Sequence, residues 1–176
     1  MLKGRSICLR LVRQGDLEQI TTLMSDVYAR GDHFPLMLRS EVAVRQRYEK
    51  DGMWGDESGT MLIVDAEDDR VLGSISQFKG IHYYDCVEVG YILYRAADRG
   101  KGYATEAVRL LTRYLFDSMK ICRIQIQAEP GNVGSVRVAE KCGYRFEGIA
   151  RAAFISKGKP CDIGVYAITR ADFEEL

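Results

Sequence analysis

Arg99-Gly100-Lys101-Gly102-Tyr103-Ala104 joins a strand pattern, Cys86 to Tyr94, to the strongest helical pattern of the chain, Ala104 to Met119. In that helix Ala107, Val108, Leu111, Tyr114 and Leu115 recur at helical spacing and form one apolar stripe. Glycines let successive amide N–H groups turn inward without Cβ obstruction, and the start of a helix adds partial positive charge at the same point. A diphosphate can therefore be held there mainly by backbone. Two familiar nucleotide loops do not fit. The Walker loop needs Ser or Thr after Gly-Lys, where Gly102 stands, and Thr105 occupies the last glycine position of the dinucleotide fingerprint. A lone Gly-x-Gly also serves as an ordinary tight turn, so the rest of the chain must decide.

Cys86 to Tyr94, rich in Val, Ile and Tyr, reads as a strand. Upstream of it, Thr60 to Ala66 and Val71 to Phe78 read as a hairpin across Glu67-Asp68-Asp69-Arg70. Ile7 to Val12 alternates apolar and polar residues. Asp16, with Gln19 three residues on, is expected to cap a first helix running to about Tyr28. Ser40 is expected to cap a second, polar helix closed by Gly52. Downstream, Cys122 to Ala128 alternates as a strand, and Ser135 to Cys142 is a short helix ended by Gly143. Two closing strands, Phe146 to Ile155 and Ile163 to Ile168, flank Lys157-Gly158-Lys159-Pro160. This order implies a single domain, 1–176, built on a central mixed sheet of about seven strands with helices on its faces, an α/β (α+β) arrangement.

The 47% hydrophobic and 28% charged residues fit a globular protein. Twenty-five basic residues balance 25 acidic ones, so no broad field favours nucleic acid or an anionic membrane. Five scattered cysteines with no Cys-x-x-Cys pair suggest neither zinc nor a disulfide framework, and the histidines have no metal-ligand spacing. The expectation is a cytoplasmic protein without metal, since the N-terminus lacks a secretory apolar stretch and no run is long enough to span a bilayer.

Arg99, Gly102 and Ala104 match the Arg/Gln-x-x-Gly-x-Gly/Ala signature of the GNAT superfamily of N-acetyltransferases. Asn132-Val133-Gly134-Ser135, followed by a short helix and Gly143-Tyr144, resembles its second block. The resemblance runs from about Ile7 to Ile168 and is weaker before residue 60. It implies the GNAT fold, acetyl-CoA as co-substrate, and pyrophosphate held by Arg99, Gly100, Lys101, Gly102, Tyr103, Ala104 and Thr105. It also implies that the strand ending Ile92-Leu93-Tyr94 splays from the one beginning near Cys122. Pantetheine then lies in the gap like an added strand, on main-chain groups of Leu93 and Tyr94.

The chain is most similar to the Rim-type (RimJ/RimL) ribosomal-protein N-terminal acetyltransferases. Many GNAT enzymes protonate the departing thiolate with a tyrosine of the second block, and here that position is Ala139. Ser135, one turn earlier on the same face, is the substitute acid; its other reading is a cap of its own helix. Asn132 is the polar anchor for pantetheine or the acyl region, or else a turn residue beside Gly131. Arg137 and Lys141 read as solvated helix charges. Glu88, a carboxylate inside an apolar strand, is the general base through a water, or else faces solvent or pairs with an arginine.

In related enzymes the first two helices and the loop after the third strand shape the acceptor cleft. That points to His33, Phe34, Trp54, His82, Tyr83 and Tyr84, with Asp85, as an aromatic wall. The expected acceptor is the α-amine of a protein or peptide. A small-molecule amine (amino acid, antibiotic or polyamine) is the alternative, and a non-catalytic acyl-CoA sensor is the alternative of another class. The assembly is expected to be a monomer or homodimer.

Overall fold

A computed structural model describes residues 1–27, 31–33, 38–80 and 84–175. The expected Thr60 and Val71 strands are β3 (Ser58–Asp65) and β4 (Val71–Phe78), and Ile7 opens β2 (Ile7–Leu11). β5 is Cys86–Leu93 and β6 is Arg123–Ala128, while β7 (Arg145–Ser156) and β8 (Lys159–Thr169) close the chain. The sheet has eight strands rather than about seven, in the order β1-β2-β3-β4-β5-β6-β8-β7. The added strand β1, Leu2–Lys3, is set by pairing of Leu2 with Leu9. Two residues are too few to show a period. Every neighbouring pair is antiparallel except β5 with β6, which is parallel.

Helices cover both faces. α3 (Tyr103–Ser118) buries Ala107, Val108, Leu111 and Leu115 completely, and with α4 (Val133–Lys141) it packs on the face carrying Val87, Val89, Ile124 and Ile126. α1 (Leu17–Ser25) and α2 (Glu41–Asp51) pack on the opposite face, against Leu62, Val64, Ile92 and Tyr94. Ser40 caps α2 as expected, its Oγ accepting from the Ala43 N–H at 3.1 Å, and Gly52 ends it in the left-handed region at φ 64°. Asp16 departs from expectation. It closes a short 3₁₀ turn, Gln14–Asp16, and its carboxylate turns back to the Arg13 N–H and to buried Arg10 instead of capping α1. A short C-terminal helix, α5 (Arg170–Glu174), was not evident in the sequence pattern. Tyr28 lies outside the described residues. Among those described, no helix is long and apolar enough to cross a membrane.

The segment between β5 and α3 is anchored by charge. Asp98, 4% exposed at its side chain, receives both terminal nitrogens of Arg70 at 3.1 Å, a bidentate pair that ties this turn to the β3–β4 connection. Arg95 adds a hydrogen bond to the Val71 carbonyl at 3.1 Å. The Arg70 guanidinium holds the Asp98 carboxyl below the ordinary carboxylate range. A lowered value stabilises the fold above the unfolded value, about 3.9, and that contribution is lost as pH falls through the folded one. Asp98→Ala is therefore expected to melt below the parent at neutral pH, with the difference shrinking below about pH 4. Thermal melts across pH test this, and a constant difference would show that the ion pair is not its source.

Candidate functional site

Gly100 and Gly102 have φ of 75° and 88°, in the left-handed region that favours glycine, and space is open where a Cβ would stand. The backbone course, not crowding, demands them. Gly102 is the N-cap of α3 and brings no side chain to it; the first helical bond is Glu106 N–H to Gly102 O at 3.0 Å. The first-turn amides of Tyr103, Ala104 and Thr105 are thus directed beyond the helix end, beside exposed Arg99 and Lys101. This geometry fits a diphosphate. Arg99 also reaches back to the Leu93 carbonyl at 3.3 Å, bracing the loop against the end of β5.

The expected splay is present. β5 and β6 pair only at Cys86–Arg123, Val87–Ile124 and Glu88–Gln125, although β5 runs on to Leu93 and β6 to Ala128. Beyond Glu88 the two strands border a gap. Which main-chain groups face it follows from parity. The Tyr94 N–H donates to Leu72 O at 3.0 Å, so Tyr94 and, two residues before it, Ile92 direct their N–H groups to β4. The alternate residues Val89, Tyr91 and Leu93 therefore turn theirs toward β6 and the gap. Leu93 keeps the expected orientation. The Tyr94 amide does not, and Tyr91, absent from the expected set, takes its place.

Above the gap, on the α3–α4 face, Asn132 rather than Ser135 caps α4: its Oδ1 accepts from the Ser135 N–H at 3.1 Å. The Ser135 hydroxyl is thereby freed from capping and lies 2.8 Å from the Tyr91 hydroxyl. Burial pushes the Tyr91 phenol up to about 12, so it stays protonated. The 2.8 Å contact to Ser135 Oγ is shorter than the 3.3 Å contact to the Ser135 carbonyl. Either hydroxyl can donate in that contact; when Tyr91 does, the serine's own proton is left to point elsewhere. Ala139 is fully buried in the core, and Arg137 and Lys141 are exposed as expected.

Glu88 lies on the opposite face, with Gly90 and Ile92. It is partly buried, and among the described residues it pairs with no arginine. Its Oε2 accepts from Gln125 Nε2 at 3.1 Å and Gln127 Nε2 at 2.8 Å. Burial raises its carboxyl above the ordinary range, while the two amides act in the other direction. The floor of this face is polar from β3 across to β6. Arg47 of α2 donates to Thr60 Oγ1 at 3.3 Å, and Thr60 lies 2.9 Å from Ser76 Oγ. Gln125, Gln127, Arg47, Thr60 and Ser76 were missed in the sequence. The alternation of Gln125 and Gln127 within Arg-Ile-Gln-Ile-Gln-Ala marks them as one face, but only the register to β5 puts Glu88 between them.

The residues expected to form an aromatic wall are placed as follows. His33 Nδ1 lies 2.8 Å from Glu129 Oε2, just beyond β6, and its ring approaches Gly131. Tyr84 is exposed. Trp54 is on the other side: it meets Tyr114 of α3 edge-on at 6.0 Å and packs with the α3 core, away from the Glu88 face. Phe34, His82 and Tyr83 lie outside the described residues. Among the described residues no cluster of His, Cys, Asp or Glu is arranged to hold a metal.

A family model described as an acetyltransferase (GNAT) domain matches residues 6–145. The probable N-acetyltransferase YjcK of Bacillus subtilis is 34% identical over 187 residues, covering 99% of this chain and 100% of that protein. Among solved structures, spermidine N-acetyltransferase from Vibrio cholerae, with CoA and spermine, superposes with a TM-score of 0.84 at 20% identity, covering 97% of this chain and 99% of that one. RimL, a ribosomal L7/L12 α-N-protein acetyltransferase in complex with coenzyme A, gives 0.82 at 17% identity, covering 94% and 95%. At those identities the two structures speak for the fold alone. The family match over most of the chain, with the YjcK similarity along its whole length, identifies the chain as a member of the GNAT family of N-acetyltransferases.

Proposed function

We propose that the protein transfers acetyl from acetyl-CoA to the α-amine of a peptide or protein N-terminus, by direct attack while both are bound. One observation carries this reading: Glu88 and Ser135 stand on opposite faces of the sheet at the same β5–β6 gap. Acetyl-CoA supplies the activated thioester. Its pyrophosphate fits the amides of Tyr103, Ala104 and Thr105 behind Gly100 and Gly102, with Arg99 and Lys101 beside them, and its pantetheine fits the main-chain groups of Tyr91 and Leu93.

In this arrangement the amine approaches from the α1–α2 face. Glu88 takes its proton through a water as the N–C bond forms, and Ser135 gives a proton to the sulfur as the C–S bond breaks. Tyr91 orients the serine hydroxyl. Ala139 supports the Rim-type assignment over a polyamine one, because the tyrosine acid of the second block is missing and Ser135 is free to replace it. A non-catalytic sensor would need the phosphate loop and the gap, but would gain nothing from a raised carboxyl and a freed hydroxyl facing each other across the sheet.

Three outcomes are expected. In thiol release from acetyl-CoA across N-terminal peptides, amino acids, polyamines and aminoglycosides, peptides should be the preferred class; tight cofactor binding without turnover on any of them would favour the sensor. Ser135→Ala should lower kcat by about 10²-fold with acetyl-CoA affinity retained. Tyr91→Phe should lower it less, and equal losses would make Tyr91 the acid.

The third outcome concerns pH. Because burial raises the Glu88 carboxyl, kcat/KM should climb with pH through a value above the ordinary glutamate value of about 4.3, and Glu88→Gln should remove that limb and lower the rate by about 10²–10³-fold. The same raised value means that the ionised side chain costs stability as pH rises through it. Glu88→Gln should therefore melt no lower than the parent at pH 8, as thermal melts would check. An unchanged rate profile excludes Glu88 as the base.

A further inference from the structure

Arg47 stands apart from the other inward-reaching arginines. Arg10, Arg70 and Arg123 each meet a carboxylate at 3.1 Å or less. Arg47, half-buried, has no ion pair among the described residues, and its guanidinium donates to the neutral hydroxyl of Thr60. Burial and the neighbouring charge of Arg39 push it below the ordinary arginine value, with Asp51 acting in the other direction. A half-buried cation whose hydrogen bond goes to a neutral hydroxyl gains from an anion that arrives to meet it.

The position says where that anion would sit. Thr60 pairs with Ser76, and Ser76 pairs with Gly90 on β5, two residues from Glu88 and on its face. Gly90 raises no side chain of its own, and the Phe78 ring lies 3.6 Å from where its Cβ would stand. From β3 to β5 is two strand spacings, about 10 Å. An extended peptide advances about 3.3–3.6 Å per residue. A chain entering with its α-amine at the gap beside Glu88 therefore brings the side chain of its second or third residue to Arg47.

We propose that Arg47 is a specificity determinant that reads a carboxylate on the second or third residue of the acceptor peptide. The inference rests on the acetyl-transfer reading of the same site and narrows it. Arg39 and Arg47 together oppose a polycationic acceptor entering by this route, whereas an acidic N-terminal segment meets an otherwise unpaired charge.

The test compares peptides that differ only by Asp against Asn at position two or three, with spermidine as the cationic probe. Thiol release from acetyl-CoA is measured for the parent, Arg47→Gln and Arg47→Lys. For the parent, kcat/KM should favour an Asp peptide by about tenfold, mainly through KM, as a charge-assisted contact gives. Arg47→Gln should bring that ratio to near one, and Arg47→Lys should restore part of it, which a merely structural role would not do. Equal kcat/KM for the Asp and Asn peptides in the parent, a ratio that survives in Arg47→Gln, or preference for spermidine each overturns the proposal while leaving acetyl transfer intact. Absence of turnover on every amine overturns the reading beneath it, and the inference falls with it.

Discussion

The parallel pairing of β5 with β6 stops after three residues, and the site depends on that stop. Each strand is committed to a different neighbour. β5 follows β4 through six paired positions from Glu88 to Leu93, and β6 follows β8 through six from Arg123 to Ala128. Two firmly held strands that share only Cys86–Glu88 with Arg123–Gln125 cannot remain adjacent once sheet twist turns them apart. The result is an internal sheet edge whose N–H and C=O groups lack strand partners, a feature that ordinary sheets avoid and that suits an extended ligand. The backbone ties Cys122 N–H to Asp85 O at 2.8 Å, just before the pairing begins, so the position of the fork is fixed from its closed end.

In the proposed mechanism the fork also solves a problem of proton placement. The proposed base must reach the amine while the proposed acid reaches the sulfur, so the two need separate positions. Here the sheet separates them. Odd-numbered residues of β5 face α3 and α4, where Tyr91 meets Ser135; even-numbered ones face α1 and α2, where Glu88 lies between two glutamines. Neutral amides matter in that position. An arginine partner would hold the Glu88 carboxyl low and ionised, as Arg70 does for Asp98, whereas the amides satisfy the oxygen and leave burial to dominate. The phenol of Tyr91 is raised by the same cause, burial, and stays protonated for that reason.

Much of this was legible in the sequence because it rests on local rules. Gly100 and Gly102 were readable as positive-φ positions before a helix, the α3 stripe by its period, Ser40 and Gly52 as caps, and the splay through the resemblance of two blocks. The unread parts depend on register. Which of Tyr91, Ile92, Leu93 and Tyr94 turn their amides to the gap is decided by the pairing of β5 with β4, and a shift of one residue would exchange the two sets. Asn132 and Ser135 are both good caps, and only the backbone of α4 chooses between them. Trp54 looked like part of an acceptor wall, but it packs against Tyr114 on the far face, a tertiary contact with no local sign. Arg47 sits in a helix in which only Val44 is buried, so nothing in its neighbours separated it from the solvated Arg45.

The zero net charge of the chain now has a more particular meaning. It excludes a broad attractive field, and the structure replaces that field with two local ones built differently. At the cofactor loop the positive potential comes from helix amides, which need glycine geometry and lose nothing to solvation when a phosphate leaves, with Arg99 and Lys101 exposed beside them. On the proposed acceptor face it comes from Arg47 and Arg39, and Arg47 is partly withdrawn from water. A surface cation is screened within about 8–10 Å at physiological salt, so it discriminates weakly. One withdrawn into a polar floor is screened far less and penalises any acceptor that fails to compensate it. Under the proposal, selectivity on this face arises less from attraction to the correct acceptor than from the unmet cost of binding the wrong one.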